Sequence, residues 1–291
     1  MKHQLKRLLN VAGFHMVRPY LPDLRTSATV KAAMVSILLD LQAKARAGTP
    51  LPKLGDSGFR VFSQFEEDGL LLYLAAVLEL EPKIFVDIGS SNGVNSNCAN
   101  LALNLGWHGL FIDGDERAIS DGRNFYAEHP DTSLYPPVFK SAFITAENIN
   151  DLIEESGFKG RVGIVSIDID GNDCWVWNSL HVVNPAVVII ETHIEFGMQN
   201  TAVPYDREYF YPGKHPDYHG ASPVAMHSLA SKKGYRLVGA NRFGFNLIFV
   251  RNDLFPDRVP AVALESVLTH PRHAERLKLF EPIKDWDYVA I

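Results

Sequence analysis

The stretch from Phe85 to Glu116 constrains the fold of this 291-residue chain more than any other segment. A short apolar run ends in Asp87, a turn with Gly89 and Gly93 follows, and a helical pattern leads to a second apolar run ending in Asp113. This order is half of a nucleotide-binding βαβ unit, with an acid at the tip of each strand. We therefore expect a parallel sheet whose strand ends form a ligand site.

The two strand-end acids indicate which ligand this site binds. Asp113 follows the first glycine by about 20 residues, where an acid bonds ribose hydroxyls in this architecture. Asp87 lies just before Gly89, so a pyrophosphate at the turn would meet a carboxylate and be repelled. A ligand with adenosine, no phosphate, and sulfonium and ammonium groups would be attracted. These properties favour S-adenosylmethionine.

The composition limits the class of protein. The chain is 46% hydrophobic, which is enough for one large domain with a full core, or for a domain with a helical extension. The net charge of −6 argues against a nucleic-acid substrate. Cys98 and Cys174 form no CxxC pair, which fits a cytoplasmic protein and not a disulfide framework or a structural zinc site.

The first 25 residues combine basic and apolar side chains. No run approaches the roughly 18 apolar residues of a membrane-spanning helix, and no cleavage site follows an apolar core, so we expect no signal peptide. Two interpretations remain open: a helix peripheral to an anionic membrane surface, and a helix packed on the domain or in a homo-oligomer. The basic residues, set against Asp23 alone, are Lys2, Lys6, Arg7, Arg18 and Arg25.

A linker rich in proline and glycine, Gly48 to Gly58, divides the chain. Before it, Thr29 to Ala47 has the periodicity of an amphipathic helix. We expect residues 1–55 to form an N-terminal helical extension and linker, and residues 56–291 to form the main domain.

Two more helices are predicted around the first strand. Ser63 to Glu79 predicts one helix, with Ser63 as its N-cap and Glu66 as the capping-box partner. The other begins after Gly93, and its apolar face consists of Val94, Cys98, Leu101, Ala102 and Leu105.

From Lys83 onward, strands alternate with helices. Nearly continuous apolar runs such as VVII indicate strands buried on both faces, hence a parallel sheet covered by helices. Only Asn241 to Gly244 separates the last two strands, which is too short for a parallel crossover of about a dozen residues, so they form an antiparallel hairpin. The predicted strands are Lys83–Ile88, Gly109–Asp113, Val138–Ile144, Gly163–Asp168, Ala186–Glu191, Tyr235–Ala240 and Phe245–Val250.

The predicted fold is therefore α/β, with a Rossmann-like, seven-stranded, mostly parallel sheet and a C-terminal antiparallel hairpin. This architecture is typical of class I methyltransferases. Ligands of open α/β sheets bind beyond the carboxyl ends of the strands, and glycines there permit a tight turn and a close backbone approach. The cofactor-binding residues predicted at the first two strand ends are Asp87, Gly89, Ser90, Asn92, Gly93, Asp113 and Gly114.

Acidic residues also follow the next strands. Asp168, Asp170 and Asp173 end an apolar strand, where so many carboxylates need a cation, a donor or a ligand nearby. Two uses remain open: they bind the cofactor's ammonium and the substrate's hydroxyls, or two of them hold a divalent metal. Glu191 ends the fifth strand, and His193 follows it as a candidate general base or metal ligand. The catalytic candidates are His193, Asp170 and Glu191.

The segment from Phe196 to Ser222 is long and aromatic. A long loop at the strand ends of a compact domain is commonly a lid, and aromatic faces with polar tips suit sugars and polyols. A packed loop without substrate contact is the alternative. The candidate pocket walls are Tyr205, Tyr209, Phe210, Tyr211, Tyr218 and His219.

These motifs together resemble the FkbM-type family of S-adenosylmethionine-dependent methyltransferases, over about Phe62 to Leu254. Asp170 and Asp173 stand where the family motif Asp-x-Glu-Gly-x-Glu has glutamates, and His193 stands where a related motif has asparagine. The motifs, in order, are SQFEEDG, FVDIGSSNG, GLFIDGDE, SIDIDGND, IIETHIEFG, HGAS and KGYRLVG.

The resemblance implies O-methylation of a hydroxyl on a sugar, a glycan or a polyketide-like product. It places Asp168 against the cofactor, Ala142 and Phe143 near the adenine, and Gln64 toward the methionine end. Two other functions remain open. A nicotinamide-dependent oxidoreductase is permitted by the two-glycine turn, although Asp87 and the hairpin argue against it. A non-catalytic scaffold would bind the cofactor and use its N-terminal helices to tether partners.

Overall fold

The computed structural model describes residues 24–291. The helix predicted over residues 1–25 lies outside the described residues, except for its last two positions. Within the described part, no helix is long and apolar enough to cross a membrane. The strands are β1 (Ile84–Ile88), β2 (His108–Asp113), β3 (Val138–Ser141), β4 (Gly160–Ile167), β5 (Val183–Glu191), β6 (Tyr235–Ala240) and β7 (Asn246–Arg251).

Helices alternate with these strands. The α-helices are α1 (Ala28–Ala47), α2 (Glu67–Val77), α3 (Ala99–Leu103), α4 (Glu116–Glu128), α5 (Ile149–Glu155), α6 (Asp173–Ser179), α7 (Pro223–Lys232), α8 (Leu264–Val267) and α9 (His273–Arg276). Short 3-10 helices occupy Leu24–Thr26, Leu54–Ser57, Ile194–Phe196 and Leu277–Phe280.

The seven strands form one sheet in the order β3-β2-β1-β4-β5-β7-β6. The neighbouring pairs from β3 to β5 are parallel, whereas β7 runs antiparallel to both β5 and β6. The predicted fold class, including the antiparallel C-terminal hairpin, is confirmed. Because the parallel strands end at one edge of the sheet, the polar residues that follow them are gathered there.

Both faces of the sheet are buried, as the apolar runs predict. Alternate residues of one strand enter opposite cores: Phe85 lies in one and Val86 in the other, and Val187 and Val188 divide in the same way. Helix α1 packs against α2 within the first of these cores through Met34, Leu41 and Ala45. The division at residue 55 into an extension and a main domain stays a prediction.

Two helix predictions need correction. The helix predicted from Ser63 begins at Glu67, and Glu66 does not form a capping box with Ser63. The Glu66 carboxylate instead accepts the N–H of Arg242, and the Ser63 hydroxyl accepts the N–H of Asp68 at 3.2 Å.

The helix predicted directly after Gly93 is confined to α3, beginning at Ala99. The amide oxygen of Asn92 accepts the N–H groups of Val94 and Asn95, at 3.0 and 3.2 Å. These side-chain bonds replace the helical pattern in the residues that lead to α3. Strand β3 likewise ends at Ser141 rather than Ile144, where its partner β2 also ends.

Candidate active site

Two loops meet at the carboxyl ends of β1 and β2. The N–H of Gly89 donates to the carbonyl oxygen of Ile112 at 2.9 Å. The Asp113 carboxylate accepts the N–H of Ser91 at 2.6 Å through Oδ2, and that of Asp115 at 2.8 Å through Oδ1. Each of these oxygens can accept a further hydrogen bond. Asp113 therefore fixes the loop geometry and still offers both oxygens to a ligand's hydroxyls.

The backbone requires both glycines of the first loop. Gly89 has φ +86°, and a Cβ there would lie 1.7 Å from the carbonyl oxygen of Asp168. Gly93 has φ +66°, and its Cβ would lie 3.0 Å from the ring of Phe139. L-residues rarely adopt such φ values, and no side chain fits beside Asp168. The sequence pattern predicted a turn at both glycines, and Gly89 makes the close backbone approach.

The other predicted cofactor residues fall into two groups. The buried hydroxyl of Ser90 donates to the Ile112 carbonyl at 3.3 Å, and Asn92 bonds within its own loop, so these two side chains shape the loop. Ala142 donates its N–H to the carbonyl oxygen of Asp113 at 2.9 Å, which ties the end of β3 to that of β2. The exposed residues of the predicted set are Gln64, Gly114 and Phe143.

The segment that carries Gln64 is held by the C-terminal hairpin. The Glu67 carboxylate accepts hydrogen bonds from the side-chain amides of Asn241 and Asn246, at 2.8 and 3.0 Å, and from the N–H of Phe65 at 2.9 Å. Nothing in the sequence spacing predicts this connection, because the partners are 174 and 179 residues apart.

Asp87 lies beneath the loop rather than in the open part of the site. It is 2% exposed, and its Oδ2 accepts the N–H of Cys98 at 3.3 Å. Burial raises the pKa of Asp87 to about 6, although the hydrogen bonds with Ser96 and Ser166 lower it. In this position the carboxylate holds β1 to the segment before α3.

Three carboxylates converge at the ends of the neighbouring strands β4 and β5. Asp168, Asp170 and Glu191, which we call the acid cluster, each place an oxygen within 4.8 Å of the others. Burial, followed by the charges of neighbouring acids, raises the pKa of Asp168 and of Glu191 well above its usual range. Asp170 has φ +54° in the left-handed region, which aspartate tolerates better than most residues.

Asp173 has a different role from the acid cluster. Its two oxygens accept the N–H groups of Ile169 and Gly171, at 2.8 and 2.9 Å. Burial raises the pKa of Asp173 to about 6, although these two backbone bonds lower it. The side chain therefore fixes the turn that presents Asp170.

His193 lies beside the acid cluster and is 8% exposed. Its Nε2 is 3.8 Å from Glu191 Oε2, and its Nδ1 is 3.9 Å from Glu195 Oε2. Its ring meets that of His219 edge to face, with centroids 4.0 Å apart. Burial, with the nearby His219 and Arg276, holds the pKa of His193 well below its usual range. The imidazole is therefore neutral near pH 7.

Sequence reasoning missed two residues that support His193. Arg276, from α9, forms an ion pair with the buried Glu195. Gly220 leaves room for the imidazole, since a Cβ there would lie 2.1 Å from His193 Cδ2. The contact of Gly220 with His193 has a sequence signal, because Gly220 belongs to the HGAS motif. Arg276 lies outside every motif, 81 residues from Glu195.

The aromatic segment encloses a cavity of about 420 Å³ next to the acid cluster. Gly171, which follows Asp170, lines the cavity, and so does His219. The Tyr209 ring lies against Gly171, and its buried hydroxyl has no hydrogen-bond partner. Five of the six predicted wall residues line this aromatic cavity: Tyr205, Tyr209, Phe210, Tyr218 and His219.

No protein-family model matches this chain, and no curated protein does. Among solved structures, an O-methyltransferase from Bacillus cereus in complex with SAH is 13% identical, with a TM-score of 0.42 over 75% of this chain and 91% of that one. The SAH-bound Podospora anserina methyltransferase PaMTH1 is 11% identical, with a TM-score of 0.42 over 82% of this chain and 100% of that one.

A spermidine synthase from Thermotoga maritima is also similar, at 14% identity and a TM-score of 0.37 over 69% of this chain and 70% of that one. At such identities and TM-scores, the likeness does not extend to a substrate or a reaction.

Proposed function

We propose that this chain is an S-adenosylmethionine-dependent O-methyltransferase of the FkbM type, acting on a hydroxyl of a sugar, a glycan or a related small molecule. The observation that carries the proposal is the arrangement at one sheet edge. The glycine turn and Asp113 lie at the ends of β1 and β2, and the acid cluster and the aromatic cavity adjoin them beyond β4 and β5. Gly89, packed on the Asp168 carbonyl, joins the two halves.

The first half has the features that adenosine requires. Asp113 offers two carboxylate oxygens to ribose hydroxyls, and Phe143, 48% exposed, offers an aromatic face to the adenine. Gly114 leaves space beside them, because a Cβ there meets nothing closer than 3.9 Å.

The second half has the features that methyl transfer requires. When bound, S-adenosylmethionine supplies an electrophilic methyl group, which the acceptor oxygen takes while S-adenosylhomocysteine leaves. The chain must orient the hydroxyl and remove its proton, because a neutral hydroxyl is a weak nucleophile. His193 Nε2 is unpartnered and faces the acid cluster, so it is the base that we assign. Asp170 and Glu191 orient the hydroxyl.

The aromatic cavity supports a polyol or sugar acceptor. Its tyrosines combine flat apolar faces with hydroxyls, and Asp206 and Glu208 add hydrogen-bond acceptors to its lining. A volume of about 420 Å³ falls within the range of small-molecule sites, roughly 300 to 1,000 Å³.

Isothermal titration with S-adenosylmethionine, S-adenosylhomocysteine and NAD, each with and without magnesium, tests the cofactor assignment. We expect micromolar binding of the two sulfur compounds and none of NAD. Transfer of a tritiated methyl group to a panel of free, nucleotide-linked and lipid-linked sugars then tests the reaction. Binding of neither sulfur compound contradicts the proposal, and binding without transfer to any acceptor favours the scaffold function.

A further inference from the structure

The acid cluster brings three carboxyl groups together with no lysine or arginine of the described residues paired to them. Its members come from the ends of adjacent parallel strands, β4 and β5, which pair Ile167 with Ile190. In the part of the chain from residue 24 onward, no lysine or arginine nitrogen lies within 4.0 Å of these three carboxylates. Arg276 pairs with Glu195 and not with a member of the acid cluster. Carboxylates in such proximity require a positive ligand or protons.

A second, independent feature points to a ligand at the same place. Glu191 Oε2 and His193 Nε2 are both covered from solvent, and neither has a hydrogen-bond partner. They face each other at 3.8 Å, which is too long for a hydrogen bond. His193 is more than nine-tenths buried, so solvent does not satisfy its nitrogen. A bound group between the acid cluster and His193 would satisfy both atoms.

We infer that Asp168, Asp170 and Glu191 hold one divalent cation of the Mg²⁺ and Mn²⁺ class. Carboxylate oxygens are the ligands that these hard cations prefer, whereas zinc favours histidine and cysteine. Three protein oxygens leave the remaining octahedral positions to water and to the acceptor. His193 lies next to the cation and bonds a hydroxyl or water attached to it.

The role of this site in binding the acceptor rests on the proposed function. The existence of the cation site does not depend on that function. An acceptor in the aromatic cavity would place a hydroxyl oxygen on the cation, which favours the loss of its proton. That proton passes to His193 Nε2 as the oxygen–methyl bond forms and the sulfur–methyl bond breaks. Adjacent hydroxyls of a sugar or polyol would fill two coordination positions at once.

Electron paramagnetic resonance of free Mn²⁺, titrated with the purified full chain, tests the site without any methyl acceptor. We expect one Mn²⁺ bound per chain, displaced by Mg²⁺, in the absence of S-adenosylmethionine. Asp170→Asn and Glu191→Gln should each weaken this binding at least tenfold. Neither side chain has a hydrogen bond that the fold depends on, and asparagine also tolerates the φ of position 170.

Glu208→Gln is the matched control, because Glu208 lines the same cavity but lies outside the acid cluster. It should bind Mn²⁺ as the unaltered chain does.

The inference is overturned if the unaltered chain binds no Mn²⁺ at millimolar concentration, or if all three variants bind it equally, which would indicate diffuse surface binding. If the chain binds Mn²⁺ but no S-adenosylmethionine, the cation site is supported and only the proposed function is contradicted. Circular dichroism confirms that each variant is folded.

Discussion

Gly89 and Asp168 are in such close contact that a Cβ on the glycine would overlap the aspartate's carbonyl oxygen, at a separation of 1.7 Å. The contact joins the loop after β1 to the end of β4. The geometry of the glycine loop therefore depends on that of the acid cluster.

Gly89→Ala should abolish S-adenosylmethionine binding and lower the free energy of unfolding by about 3 kcal/mol or more, because one loop must move and φ +86° is strained. Gly114→Ala is the control for stability alone, since its Cβ would meet no atom closer than 3.9 Å. Urea unfolding and isothermal titration measure both effects. Equal stability of the two variants would contradict this account of the contact.

Asp113→Asn should weaken S-adenosylmethionine binding by about 10- to 100-fold, since charge-assisted hydrogen bonds to the ribose are replaced by weaker ones. Asp115→Asn should leave the affinity unchanged. Asp115 caps α4 by accepting the N–H groups of Arg117 and Ala118, and asparagine caps a helix equally well. Titration calorimetry on both variants makes the comparison. A similar loss in both would assign Asp113 a purely structural role.

His193→Ala should lower turnover by about 10²- to 10⁴-fold, the usual contribution of a general base, with little change in S-adenosylmethionine affinity. His181→Ala is the control, because His181 is exposed and its ring bonds only the carbonyl oxygen of Ser179. Initial rates with an identified acceptor, together with titration of the cofactor, separate the two effects. Unchanged turnover in the His193 variant would exclude it as the base.

Asp87 should make the protein less stable as the pH rises from 5 to 7. Its native pKa, about 6, exceeds its ordinary value of 3.8, so the folded chain binds the proton more tightly than the unfolded chain. The favourable contribution of the protonated form is complete below pH 4 and is lost as the pH rises through 6. Between pH 5 and 7, this loss amounts to about 1 kcal/mol.

Asp87→Asn removes this titration, and its amide oxygen can still accept the N–H of Cys98. Urea unfolding of both proteins at several pH values should show a difference in stability that changes by about 1 kcal/mol across that interval. Parallel pH profiles would mean that Asp87 does not titrate there.

The sheet could be predicted because its signals are local. Apolar runs ending in Asp87, Asp113 and Glu191 mark the strands, and the short separation between β6 and β7 permits only a hairpin. The turn glycines were identified for the same reason, since a tight turn leaves a residue pattern over a few positions.

The missing parts of the site depend on contacts between distant residues. The pairing of Arg276 with Glu195 leaves no periodicity or spacing in the sequence. The late start of α3, at Ala99 rather than directly after Gly93, depends on the Asn92 side chain competing with helical bonds, which the apolar pattern does not report. The bonds of Asp87 and Asp173 to backbone N–H groups also become apparent only from the structure.

The bonds from Asn241 and Asn246 to Glu67 have a consequence for synthesis. During translation, the segment that carries Gln64 leaves the ribosome long before the hairpin that anchors it. A nascent chain can pair β1 with β2 and β4, but the segment that carries Gln64 stays without its anchor until β7 has emerged.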